Sequence, residues 1–504
     1  MIQPLLSFLP VVLLGFFFLL CLWPLQHPTL SNLLIKSILA TGVGLGISSC
    51  LVFVSLVLLD SLRTEIFLIE MLLLVVLAGG ALRRIKARKD GARDERAAIS
   101  ARVSIIQKAL AAGFCIALAG SIFLFTVRAV EKPHGSYDAW SIWNLCARYL
   151  FRADGQWRDA FSELLFHPDY PLLIPASVAR GWLWIGNETV AVPIFLALFF
   201  TLGTVGLVVC SLSILRSKSQ GLLAGLVLLG TPFFIHHGAS QTADVPLGFF
   251  ILSSFVLLAL NYAWSDGYPP LVILAGMTAG LCAWTKNEGL LVFLSILLSS
   301  FAIALQSKGW RSSLKQVGFF LLGSLPLLVT IIYFKTQMAP PNDLLGAQSI
   351  HIFLERLTQL SRYLVVLKYF LTEVWQFGDW PVSFPVVLAF YILLMGGSIN
   401  HERDPHVGTA LLALSLIVIG WVLVYVFSAR DDLVFFLNTS LKRLFLQLWP
   451  SFVFVFFLIV RTPERALMIK ETVKLPTDGN EVQSWTGAQD SSHLSHGSSL
   501  KHRR

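Results

Sequence analysis

TVAVPIFLALFFTLGTVGLVVCSLSI, residues 189–214, carries no charged side chain. A helix of this composition has no polar face to turn toward water, and about 20 apolar residues suffice for a helix to cross the hydrocarbon of a bilayer. Twelve more apolar runs lie outward from it. They fall at 4–25, 33–59, 65–82 and 104–129 on one side, and at 220–236, 245–264, 269–285, 289–306, 316–334, 383–399, 408–428 and 446–461 on the other. Together they predict an all-α integral membrane protein, a bundle of about 13 transmembrane helices. Hydrophobic residues make up 56% of the 504 and charged ones 13%, with mean hydropathy +0.73. A soluble domain carries about a quarter charged residues, which excludes a water-soluble class.

The net charge of +9 reports topology and not a nucleic-acid partner, because the basic residues sit in short loops and at the ends of apolar runs. Arg83, Arg84, Lys86, Arg88, Lys89, Arg93, Arg96 and Arg102 place the segment between the third and fourth runs in the cytoplasm. Counting spans from there puts Arg216 and Lys218, then Lys308, Arg311 and Lys315, then the tail from Arg461, on the same side. The loops 130–188, 237–244, 286–288, 335–382 and 429–445 are then extracytoplasmic, as is the amino terminus. The run from Leu5 to Leu25 lacks a basic n-region and a cleavage site, so it is expected to stay as a span. Cys21, Cys50, Cys115, Cys146, Cys210 and Cys282 show no CxxC spacing, and neither a disulfide framework nor a zinc site is expected. Three units follow: spans with their basic loop over 1–103, the remaining spans with their outer loops over 104–461, and a polar, disordered cytoplasmic tail over 462–504.

The outer loops hold the chemistry. YDAWSIWNLCARYLF (137–151) spaces Trp140, Trp143, Ala147 and Leu150 as a helix lying at the membrane interface, with Asp138 at its start. A carboxylate there serves either as a general base or as a helix N-cap. A second interfacial helix is expected within 351–376, where Phe353, Leu357, Leu360, Leu364 and Leu367 form a stripe. HPDYPLLIP (167–175) fixes a proline-rich turn presenting His167 and Asp169, which is either a purely structural turn or part of a divalent-cation site, two ligands being too few to assert one. HHGASQTADVPLGFF (236–250) and AWTKNEGLL (283–291) sit in tight loops. Lys286 there can meet a phosphate, and Asp244 and Glu288 can orient it, contact an acceptor, or pair with it structurally. Arg443, in ARDDLVFFLNTSLKRLFLQLWP (429–450), can grip a phosphate bidentately or snorkel to headgroups beside Lys442. One carboxylate with a Lys and an Arg on one face suits a reaction in which a phosphate leaves as a hydroxyl attacks.

These motifs, in this order over about 104–461, resemble the GT-C superfamily of membrane glycosyltransferases, which includes protein O-mannosyltransferases and the lipid A aminoarabinose transferase. They look like a bacterial family 39 or aminoarabinose-transferase-like subgroup. The resemblance implies a GT-C-type bundle in a plasma (inner) membrane that moves a sugar from a polyprenyl-phosphate donor to an extracytoplasmic lipid, glycan or protein acceptor, with inversion. It implies that Asp138 matches the catalytic aspartate, Asp244 the acidic residue of the second outer loop, and Lys286 and Arg443 the groups near the carrier phosphate. Asp138 is followed by Ala139, where protein O-mannosyltransferases carry an Asp-Glu pair, so the resemblance does not extend to mannosyl transfer onto protein. The alternatives are a transporter of lipid-linked oligosaccharide or polysaccharide, or a polymerase or ligase.

Overall fold

The computed structural model describes residues 2–23, 29–89, 105–152, 156–263, 268–342, 355–396, 405–428 and 432–466. Arg93, Arg96, Arg102, Phe353 and the tail past 466 lie outside the described residues. Four long helices come first: α1 (Ile2–Leu22), α2 (Leu30–Leu59), α3 (Glu65–Lys89) and α4 (Ile105–Glu131). Two short ones follow, α5 (Asn144–Arg152) and α6 (Leu173–Ile185). Next are α7 (Ala191–Leu215), α8 (Lys218–Leu229), α9 (Pro232–Gly238), α10 (Asp244–Ala263), α11 (Pro269–Thr285), α12 (Glu288–Lys308) and α13 (Trp310–Gln337). The last four are α14 (Leu360–Gln376), α15 (Phe384–Met395), α16 (Pro405–Phe427) and α17 (Leu433–Ile459).

Every predicted run falls on a helix, but ten of the described helices are long and apolar enough to cross a membrane. The other three runs depart for local reasons. The run at 220–236 breaks into α8 and α9, bent by 71°, because Pro232 lacks an N–H and drives Thr231 into an extended conformation. The Thr231 hydroxyl donates to the Val227 carbonyl (2.7 Å) and accepts the Trp449 indole N–H (3.1 Å), so the break is satisfied internally. The α11 helix has 17 residues, and α15 has 12. At 1.5 Å per residue the latter spans about 18 Å, short of the roughly 30 Å of hydrocarbon.

Helix α10 is the axis of the bundle and is buried from Asp244 through Asn261. A helix apolar all round belongs inside, and α7, α11 and α17 all pack on it. The last helix begins earlier than its apolar run. The Asp432 carboxylate caps it by accepting the Phe435 N–H at 2.8 Å, so Lys442 and Arg443 sit on a helix face and not in a loop. In α14 the predicted stripe points outward: Leu360, Leu364 and Leu367 are exposed, as is Leu371 beyond them, while Val366 and Phe370 are buried. Arg362 lies off the stripe and donates to the Val426 and Tyr425 carbonyls at the end of α16, satisfying groups that a helix end leaves free.

Candidate active site

The site forms where helix ends converge. Residues 139–143 fold as a π-helical turn feeding α5, a geometry frequent at functional sites. This segment is pinned to the loop before α10: the Ser136 N–H donates to the Ser240 carbonyl (3.1 Å), and Asn144 donates to Gln241 (3.2 Å). Asp138 and Asp244 are thereby fixed side by side. Helices α11 and α12 are joined only by Lys286 and Asn287. Gly289 makes this possible, since a Cβ there would lie 1.8 Å from the Cys282 carbonyl oxygen. The extended backbone of Lys286 sends its side chain across to Asp244.

Asp244 is fully buried and saturated. Its Oδ1 accepts Lys286 Nζ at 3.0 Å and Gln447 Nε2 at 2.8 Å. Its Oδ2 accepts Arg443 Nε at 2.9 Å and the Thr242 hydroxyl at 3.3 Å, with His237 Nε2 3.1 Å away. A carboxylate offers about four lone-pair sites, so Asp244 has none left for a proton, a metal or a substrate hydroxyl. Arg443 reaches past it, and its guanidinium also donates to Asp138 Oδ2 at 2.5 Å. Asp138 keeps 27% of its side chain exposed. Lys286 also contacts Glu288 at 2.8 Å, whose other oxygen, Oε2, is buried without a hydrogen-bond partner. Burial opposes the charge on Lys286, but the Asp244 and Glu288 carboxylates outweigh it and hold the ammonium above the usual lysine range. Burial, with Glu288 nearby, raises the phenol of Tyr170 and keeps it neutral.

Asp138, Asp244, Lys286, Arg443 and Glu288 are thus brought into one cluster. Asp169 and His167 border it without joining. Asp169 is turned toward Lys335 (3.2 Å), Asn287 (2.7 Å) and Asn342 (2.9 Å). His167, with a left-handed φ of 49°, stacks on Tyr170 at 4.7 Å. The two side chains face different partners, and among the described residues no three His, Cys, Asp or Glu converge as a metal-ligand set. Lys442 pairs with Asp379 and lies over the Phe233 ring. Sequence reasoning missed His237 and Gln447. Gln447 left a signal: it lies one turn past Arg443 in a run otherwise apolar, where a buried amide needs a partner.

Residues 169–334, about a third of the chain, match the family model described as dolichyl-phosphate-mannose-protein mannosyltransferase. The matched segment includes Asp169, Asp244, Lys286 and Glu288 and excludes Asp138 and Arg443. No curated protein and no solved structure matches the chain. The family match and the helical bundle together support a multi-pass membrane glycosyltransferase of GT-C type, which implies a lipid-linked sugar donor.

Proposed function

We propose, with a GT-C-type membrane glycosyltransferase as the premise, that this chain moves one sugar from a polyprenyl-phosphate carrier to a hydroxyl acceptor on the extracytoplasmic face of a plasma membrane. The observation that carries this reading is Arg443, shared between a saturated buried carboxylate, Asp244, and a partly open one, Asp138. Asp244 is the fixed counter-charge that aims Lys286 and Arg443. These two cations take the carrier phosphate, Arg443 as a fork and Lys286 as a point charge. When the phosphate draws Arg443, Asp138 is freed as general base. The acceptor oxygen then bonds to the anomeric carbon, its proton passes to Asp138, and the bond from that carbon to the phosphate oxygen breaks on the opposite face. The sugar inverts, as in single-displacement glycosidases, and Lys286 and Arg443 stabilise the charge that grows on the leaving phosphate. The positive-inside pattern supports the extracytoplasmic placement.

The Asp138→Asn substitution removes the base without changing volume, and loss of a general base costs about 10²- to 10⁴-fold in rate. The test is mass spectrometry of lipid-linked sugars and envelope glycans in cells lacking the gene, complemented by wild type or by Asp138→Asn. A lipid-phosphate sugar should accumulate, and one glycan should lose a residue, in both the deletion and the Asp138→Asn strain. Normal glycans with Asp138→Asn would remove Asp138 from the mechanism. Intact glycans with a carrier lipid stranded on one leaflet would replace the enzyme by a transporter.

A further inference from the structure

The three carboxylates of the cluster differ in what supports their charge. Asp244 accepts from Lys286, Gln447, Arg443 and Thr242. Asp138 has Arg443 and keeps 27% of its side chain exposed. Glu288 has Lys286 as its one ion-pair partner among the described residues, and its Oε2 is buried without a hydrogen-bond partner. Its other titratable neighbours are Tyr170 of the proline-rich turn, Tyr425 on α16 and Lys335 on α13, which is paired with Asp169. His237 stands apart, meeting Asp244 on Oδ2, whereas Lys286 holds Oδ1. An ammonium has three N–H groups, and Lys286 spends two directions on Asp244 at 3.0 Å and Glu288 at 2.8 Å. A carrier phosphate that takes the third shares one ammonium with Glu288, and the two anions then lie within about 5 Å of each other. Like charges so close cannot both be kept at little cost, and the less supported one is drawn to a proton.

We propose that Glu288 takes up a proton from solvent as the carrier phosphate binds, and donates it in a hydrogen bond to that phosphate. The inference rests on the function proposed above, which commits the other two carboxylates: Asp138 has to stay unprotonated to act as base, and Asp244 has no lone-pair site left. Three carboxylates already face two cations, so a phosphodiester would add a fourth negative charge. One proton entering with it leaves the net charge of the cluster unchanged. The way in is open, since 24% of the Glu288 side chain reaches solvent. The hydrogen bond strengthens as charge grows on the leaving phosphate, so Glu288 assists the two cations in the step itself.

The test is titration calorimetry of the purified full-length chain in detergent, in buffers of different ionisation enthalpy. The probe is the methyl diester of polyprenyl phosphate, whose single negative charge does not titrate. Wild type should take up about one proton per diester bound near neutral pH. The proton is held in the complex and not in the free chain, so affinity should fall as pH rises, by up to about 10-fold per unit. Glu288→Gln keeps the volume and a donor but no titrating proton, and should bind with no uptake and at an affinity independent of pH. Asp138→Asn and His237→Gln should keep the uptake, and these two with wild type decide the matter if Glu288→Gln does not fold. Binding by wild type without uptake, uptake that persists in Glu288→Gln, or uptake that vanishes in His237→Gln would overturn the assignment and leave the proposed function standing. Uptake that vanishes in Asp138→Asn would overturn both the assignment and the base. Failure of wild type to bind the diester in any buffer would overturn the proposed function itself.

Discussion

Three carboxylates, Asp138, Asp244 and Glu288, share two cations, and burial divides their roles. Asp244 is enclosed and every lone-pair site on it is engaged, whereas Asp138 is open to solvent on one side. Removing one partner of a buried ion pair costs about 3–5 kcal/mol, while partly exposed pairs are worth about 0–1 kcal/mol. Asp244→Asn is therefore expected to destabilise the protein by several kcal/mol, and Asp138→Asn to abolish transfer with little change in stability. Thermal melts of both variants in detergent check this, and equal losses would erase the distinction between a positioning and a catalytic carboxylate. The residue types were readable in the chain, because a charge beside an apolar run is costly and calls for a function. The saturation of Asp244 was not, since two of its partners, Arg443 and Gln447, lie 199 and 203 positions away.

The approach of α17 to α10 brings Arg443 and Gln447 to Asp244. Arg443 and Gln447 stand one turn apart on α17, and Asp244 and Gly248 one turn apart on α10, so each pair shares a face. A Cβ on Gly248 would lie 2.9 Å from the Gln447 carbonyl oxygen, closer than side chains tolerate, so Gly248→Ala has to push the helices apart. The expected result is a 10- to 100-fold loss of transfer, roughly the cost of a small misplacement at a reacting centre, with the chain still in the membrane. Gly318→Ala is the control, since nothing lies within 4 Å of a Cβ there. Equal activity in the two variants would refute the role of this crossing. At this scale the apolar runs were legible, because each is a local property of about 20 residues. The bend between α8 and α9, the early start of α17 and the short helix α6 were not, because they depend on a proline break, a cap and burial by neighbouring helices.

Over the whole molecule, α1 and α2 pack on α6 and α7, α3 packs on α1 and α2, and all three share one hydrophobic core with the site-bearing helices. Their strongest polar tie is Glu70 on α3 to Arg180 on α6, at 2.6 Å with both side chains nearly enclosed. Ser48 donates to the same carboxylate, and Arg180 also donates to the Ser7 carbonyl. Glu70→Gln leaves a guanidinium without its counter-charge inside the bundle and should cost about 3–5 kcal/mol, whereas Glu70→Met with Arg180→Met should recover most of that. Melting curves of the single and double variants in detergent decide it, and a single variant as stable as wild type would mean that packing alone docks α3. The chain by itself determined that it lives in a bilayer and which few residues carry charge at the ends of its spans, because hydropathy is summed over neighbours in sequence. Only the tertiary structure decided which of those charges meet and which carboxylate stays open, because small residues at helix crossings set the contacts between positions far apart in the chain.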